Sequence, residues 1–262
     1  MRPGKLIPAV FGLLAVSFLL LPLLVILPLA FTSSLFLIYP IPSFSLRWFD
    51  VLVTNPVWRA AIVNSLIIGI GTTILSTVLG GLASLGLREK LRFVSAPLST
   101  LFLLPMVVPA VVLGVGLQIL YARFGLSSTY LGMIIAHTVI AIPLVMVSVT
   151  NSLQGMDSRL ELAAASLGAG PAATLLHVTL PLAMPGILTG AVLAFAVSLD
   201  EVVLNIFLAG PGQRTIARQM FAELRDNISP AIAAAAFLFI AGTIVLMALV
   251  LLMRRRVGGT AS

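Results

Sequence analysis

The apolar positions of this chain gather into six long runs, at about 6–31, 59–87, 97–121, 129–149, 183–208 and 230–253, with short polar connectors between them. Runs longer than roughly 18 apolar residues are long enough to cross a bilayer. The pattern predicts an all-α integral membrane protein with six transmembrane helices in one domain, 1–262. The first run is too long for the core of a cleavable signal peptide, which has about 7–15 residues, so it is expected to be a span. Pro22 and Pro28 should kink it.

The connectors refine this plan. Residues 32–55 carry Tyr39, Phe44, Trp48 and Phe49, and aromatics of this kind favour the headgroup zone, which suggests a segment lying along the outer interface. The second run contains Gly69, Gly71, Gly80, Gly81 and Gly86, small residues that allow close approach of helix backbones. The third run holds Leu104-Pro105 and Val108-Pro109, so it is expected to be bent or interrupted.

Composition agrees. The chain is 60% hydrophobic and 9% charged, with a mean hydropathy of +1.18; soluble domains carry about 25% charged residues. The net charge of +7 does not point to nucleic acid, because the basic residues sit at the ends of apolar runs and read as topology signals. Six spans put both termini in the cytoplasm. Nine basic residues then lie inside (Arg2, Lys5, Arg88, Lys90, Arg92, Arg159, Arg254, Arg255, Arg256) and six outside (Arg47, Arg59, Arg123, Arg214, Arg218, Arg225), a bias of the right sign. There is no cysteine, hence no disulfide, thiolate nucleophile or Cys-based metal site.

One cytoplasmic segment, 151–182, does not look like a span. Asp157 or Ser158 can cap a helix starting near Arg159, with Glu161 in its first turn, where the helix dipole favours an acid. Ala163, Ala164 and Ala165 favour helix. Gly168 and Gly170 can end it, and Pro171 suits the start of a second short helix over about 171–177. From the residues alone this is a docking element or an amphipathic surface loop.

The same residues carry a resemblance. Ala163-Ala164, Gly168 and Val178-Thr179-Leu180-Pro181 match the loop signature of bacterial ABC importer permeases: EAA, three residues, G, nine residues, I-x-L-P. Val178 replaces Ile, and the signature Glu falls on Leu162, with the acid one position earlier at Glu161. The resemblance implies that Glu161, Leu162, Ala163, Ala164, Gly168, Leu180 and Pro181 belong to a coupling loop seated in a groove of a cytoplasmic ATPase. A second likeness narrows the branch. Ser198-Leu199-Asp200-Glu201-Val202-Val203, Ala209-Gly210-Pro211-Gly212 and Ser43-Phe44-Ser45-Leu46-Arg47-Trp48 resemble the second permease of spermidine/putrescine-type importers. That branch also includes importers of other small solutes.

The chain carries no chemistry of its own that its residues reveal. There is no G-x-x-x-x-G-K-[ST] phosphate loop and no nucleophile with a base. His137 and His177 lie in environments too different for a metal site; His137 is expected to bond a neighbouring helix and His177 to lie at the surface. No catalytic residue, cofactor or metal is therefore expected, and ATP belongs to a partner ATPase. Asp200 and Glu201, with Asn205 a turn beyond on the same predicted helix, are candidates for the translocation pathway. A carboxylate near the bilayer centre costs about 2.5–3.5 kcal/mol on insertion scales and normally faces a cavity or a partner. An acidic lining would favour an amine cation. Pairing with Arg123 or Arg214, and docking of an external protein, remain open for the same acids.

The resemblance thus implies a multi-pass permease of the bacterial inner membrane, importing a small solute such as spermidine or putrescine. Its implied partners are a second permease forming a heterodimer, two ATPase subunits, an external solute-binding protein and the lipid bilayer, without nucleic acid. The alternatives are a permease of the same family for another small organic solute, or an ion-driven secondary transporter. The latter needs a charged relay through several spans, and the chain offers only His137 and the Asp200–Glu201 pair.

Overall fold

The computed structural model describes residues 6–88, 92–157 and 159–258. Helices dominate the described residues. Five of them are long and apolar enough to cross a membrane, and a sixth crossing exists if a sharply bent pair counts as one span. Helix α1 (Leu6–Ile26) contains Pro22 and passes into a 3-10 turn, Leu27–Phe31, that contains Pro28. Arg2 and Lys5, expected ahead of it, lie outside the described residues, as does the 89–91 part of the basic loop.

The chain forms two compact units. In the first, residues 1–59 and 219–242, an aromatic cluster sets the core: Phe31 stacks on Phe44 at 5.1 Å between centroids and meets Phe237 edge-on at 5.1 Å. The 32–55 connector is not wholly irregular. Arg47–Thr54 forms helix α2, because Trp48 and Leu52, four residues apart, share one face and are buried. The Trp48 indole N–H donates to the Ser34 carbonyl at 3.2 Å. The following helix, α3 (Pro56–Gly86), begins earlier than the expected Arg59. Asn55 Oδ1 accepts from the Val57 and Trp58 N–H groups, and Pro56 fits a first-turn position that needs no donor.

The second unit comprises residues 60–218 and 243–262. Helix α6 (Tyr130–Gln154) is its axis, with His137, Ala141, Val145 and Val149 all fully buried. It outruns the expected 129–149 by more than a turn at its far end. Helix α9 (Leu180–Asp200) lies against it along Gly186 and Gly190. A methyl group added at Gly186 would stand 2.6 Å from the Ser148 carbonyl oxygen, and one at Gly190 would stand 2.9 Å from Val145 Cα. Gly71 and Gly80 of α3 also receive α6 side chains, Ile134 and Val145. Ser84 Oγ donates to the Met146 carbonyl at 3.1 Å. Gly81 and Gly86 face open space, so only part of the expected glycine face packs.

The expected third span is two helices. Helix α4 (Arg92–Leu103) leads through a 3-10 turn into α5 (Ala110–Phe124), and the axis turns by 102° between them. Pro105 removes a backbone donor and Pro109 forces Val108 out of the helical region, so the backbone leaves the helix between the two prolines. Gly125, at φ +67°, closes α5.

The expected fifth span, 183–208, is also corrected at both ends. Its helix starts before Ala183 and stops at Asp200, and a separate helix α10 (Val203–Leu208) turns onto α5, placing Leu204 and Leu208 against Tyr121 and Met133. Helix α11 (Ile216–Asp226) and α12 (Ala231–Gly258) complete the chain.

Candidate functional site

The segment between α6 and α9 folds as its sequence suggests at its start. Asp157 Oδ1 accepts from the Arg159 N–H at 2.9 Å, ahead of helix α7 (Arg159–Ser166); Ser158, the other expected cap, lies outside the described residues. After α7, Gly168 adopts φ +88°. The Ala169 N–H reaches back to the Ala164 carbonyl and the Gly168 N–H to Ala165, the paired bonds of a Schellman ending. A Cβ at Gly168 would meet nothing, so the glycine is required by its backbone conformation rather than by space.

Beyond it the structure departs from the expected separate helix over 171–177. Helix α8 (Pro171–Thr174) passes into a π turn, Leu175–Thr179, and directly into α9, giving one unbroken run from Pro171 to Asp200. The signature proline accounts for the widened turn. Pro181 has no N–H, and its ring crowds the carbonyl four residues back, a conflict that a local π geometry relieves. Leu180 and Pro181 are therefore the first turn of α9, not a linker.

Glu161 joins three elements. Its Oε1 accepts from Arg88 Nη1 at the end of α3 at 2.7 Å and from Thr179 Oγ1 in the π turn at 2.6 Å. The pair is largely shielded, with side-chain exposures of 19% for Arg88 and 31% for Glu161. The acid displaced by one position from the signature is thus used inside the chain. Leu162 stands 67% exposed, and Leu167 and Leu176 are exposed as well, giving the loop an apolar edge. Ala163 is exposed and Ala164 half-buried. Neither Arg88 nor Thr179 stood out in the sequence, since each pairs with an acid far away in the chain.

At the other end of α9 the three pathway candidates do not share a face. Asp200, the last residue of α9, is exposed. Glu201 lies in the break, and its Oε1 accepts from the Leu204 N–H at 2.8 Å, satisfying a free donor at the start of α10. Asn205 is fully buried; its Nδ2 donates to the Gln213 carbonyl and its Oδ1 accepts from the Thr215 N–H. Asn64 Nδ2 donates to the Gly212 and Arg214 carbonyls, and Tyr130 donates to Asn64 Oδ1 at 2.6 Å. These side chains pin the Ala209–Thr215 loop to α3, α6 and α10.

Arg218, counted among the outside cations, is half-buried and donates through Nη1 to the Asn205 and Ala209 carbonyls at 3.0 Å each. Burial first and the Arg214 charge second lower its pKa. It caps the C-terminus of α10, a role readable from sequence only after the break at Glu201 is known. His137 Nδ1 lies 2.8 Å from Ser198 Oγ, bridging α6 and α9, and its Nε2 is buried with no hydrogen-bond partner. His177 is exposed beside the Ala173 carbonyl. Among the described residues no three His, Asp or Glu side chains are grouped to hold a metal.

Comparison with known proteins identifies the family. Residues 76–259 match the family model described as binding-protein-dependent transport system inner membrane component. The spermidine/putrescine transport system permease protein PotC of Haemophilus influenzae is 31% identical over 82% of this chain and 83% of its own length. The putrescine transport system permease protein PotI of Escherichia coli is 31% identical over 87% of this chain and 83% of its own. Among solved structures, a bacterial ABC transporter involved in the import of the acidic polysaccharide alginate superposes with a TM-score of 0.67 at 16% identity, over 95% of this chain and 97% of that one. This chain belongs to the binding-protein-dependent transport system inner membrane component family and is an ABC importer permease resembling PotC, a multi-pass protein of the bacterial inner membrane.

Proposed function

We propose that the chain crosses the membrane six times with both termini in the cytoplasm, the bent pair α4–α5 forming one crossing, and that it imports a polyamine such as spermidine or putrescine. In this reading 151–182 is the cytoplasmic coupling loop. It seats on one of two ATPase subunits through the exposed edge of Leu162, Leu167 and Leu176, while ATP is bound by that partner alone. A second permease completes the pathway, and an external solute-binding protein delivers the solute.

The observation that carries the reading is the fusion of the loop to α9. An α7 ended at Gly168 and stapled through Glu161 to Arg88 and Thr179 meets a helix that runs without a break to Asp200. Movement imposed on the loop by ATPase closure is thereby delivered to the far end of α9. The exposed Asp200 carboxylate there suits an amine cation. Glu201 and Asn205 act in this scheme by holding the break and the 209–215 loop in place.

Uptake of radiolabelled putrescine and spermidine into vesicles holding the full complex tests the solute; coupling is tested by bulky substitution at Ala164 or Gly168. Loss of ATPase stimulation with assembly intact is the expected result. Unchanged activity would overturn the coupling role, and failure of every amine would overturn the solute. A second reading, the same permease mechanism for another small solute, is favoured by the molybdenum transport system permease protein ModB of Mycobacterium bovis, 30% identical over 87% of this chain and 93% of its own.

A further inference from the structure

At the end of α3 near Arg88, helices α3, α4 and α6 enclose a cleft of about 590 Å³. That is within the range of about 300–1,000 Å³ typical of small-molecule sites. Its lining is mixed, with Leu87, Leu153 and Met156 beside the charged end. Ser84, Arg88, Ser99, Thr150, Asn151 and Gln154 supply polar groups, with the charge and both amides toward the ends of α3 and α6. Leu103, Met146 and Val147 give an apolar wall, the last two about two helical turns back from Gln154 along α6. Among the described lining residues none is acidic and one, Arg88, is cationic.

A cleft with a cation and two amides at its mouth and hydrocarbon deeper along the same helices matches an amphiphile with an anionic head. The guanidinium has five N–H donors in a planar fork. Its Nη1 contact with Glu161 leaves donors for a phosphate oxygen. In sequence, Arg88-Glu89-Lys90-Leu91-Arg92 carries three bases and one acid, and basic segments beside a span on the cytoplasmic side attract anionic lipid, as do basic pockets between helices there.

We infer that this cleft binds an anionic phospholipid of the cytoplasmic leaflet. Arg88, Asn151 and Gln154 hold its phosphate, and an acyl chain lies along Leu103, Met146 and Val147. The inference rests on the six-span reading, which puts the ends of α3 and α6 at the inner surface. Because the same guanidinium anchors Glu161, the headgroup fixes the position of the side chain that staples the coupling loop. Lipid composition would then reach the ATPase seat through one arginine.

The test is native mass spectrometry of the full-length chain released from bilayers of phosphatidylcholine containing phosphatidylglycerol. The wild type should retain phosphatidylglycerol over phosphatidylcholine with a preference of about fivefold. Arg88→Gln and Asn151→Leu should each abolish that preference, while Arg225→Gln, an exposed cation on α11, should leave it intact. Should Arg88→Gln fail to fold, Asn151→Leu, which keeps the ion pair, decides alone. Equal retention of both lipids, an unchanged preference in a folded Arg88→Gln or Asn151→Leu variant, an equal loss in Arg225→Gln, or displacement by excess inorganic phosphate would overturn the inference. The readout needs neither ATPase nor solute. Side-specific labelling of a Gly155→Cys variant in this cysteine-free chain tests the membrane orientation separately.

Discussion

Arg88 on α3 and Glu161 on α7, 73 residues apart, form an ion pair at 2.7 Å. It connects the end of α3 to the first turn of α7. It also explains how the loop keeps an acid while presenting Leu162 at the signature position.

A double-mutant cycle with Arg88→Ala and Glu161→Gln should give a coupling energy of about 1 kcal/mol, the upper range for a partly exposed pair. Amide exchange over 159–169 should quicken in each single variant and no further in the double. Additive effects would show that the two side chains act separately.

Leu162→Glu restores the family signature at an exposed position. Thermal stability should shift by no more than about 0.5 kcal/mol. The informative readout is affinity for the ATPase, which should change measurably because the proposed seat on that subunit includes this exposed side chain. An unchanged affinity would remove Leu162 from that edge.

Gly168→Ala forces a Cβ into the left-handed region at φ +88°. The expected cost is about 1–2 kcal/mol, seen as loosening of the α7 ending by amide exchange. Open space around the Cβ excludes a steric contribution, so an unaltered α7 ending would mean that the Schellman geometry does not hold the loop.

Gly186→Leu should be far more damaging. Its Cβ alone would stand 2.5 Å from Ser152 Cβ and 2.6 Å from the Ser148 carbonyl, so α6 and α9 must separate. Loss of folded protein in detergent is the expected result, and a stable variant would contradict the α6–α9 contact.

Asp200 and Glu201 should part company. Glu201→Ala removes the acceptor for the Leu204 N–H and should cost about 1 kcal/mol of stability. Asp200→Asn should leave stability unchanged and lower amine uptake. Uptake unaffected by Asp200→Asn would take that carboxylate out of the pathway.

The elements legible in the sequence were those with local causes. Run length announced the long helices, Gly168 the end of α7, and the paired prolines the interruption between α4 and α5. The Gly186-x-x-x-Gly190 spacing, which sets the α6–α9 contact, is a small-residue motif of the kind that lets helix backbones approach closely. The break at Glu201 had no local mark, since no Gly or Pro stands there. It arises because α10 gains burial of Leu204 and Leu208 against α5, a tertiary contact that outweighs helix continuity. Pairing of Glu161 with Arg88 was invisible for the same reason: nothing local links positions that far apart.

The uninterrupted run from Pro171 to Asp200 has a mechanical consequence. At about 1.5 Å per residue its 30 residues form a lever of roughly 45 Å. A tilt of about 5° imposed at one tip would sweep the opposite tip through roughly 4 Å, comparable to the size of a small cation. The π turn lies between the loop and the rest of that run, so the share of such a tilt that reaches Asp200 depends on the stiffness of this one turn.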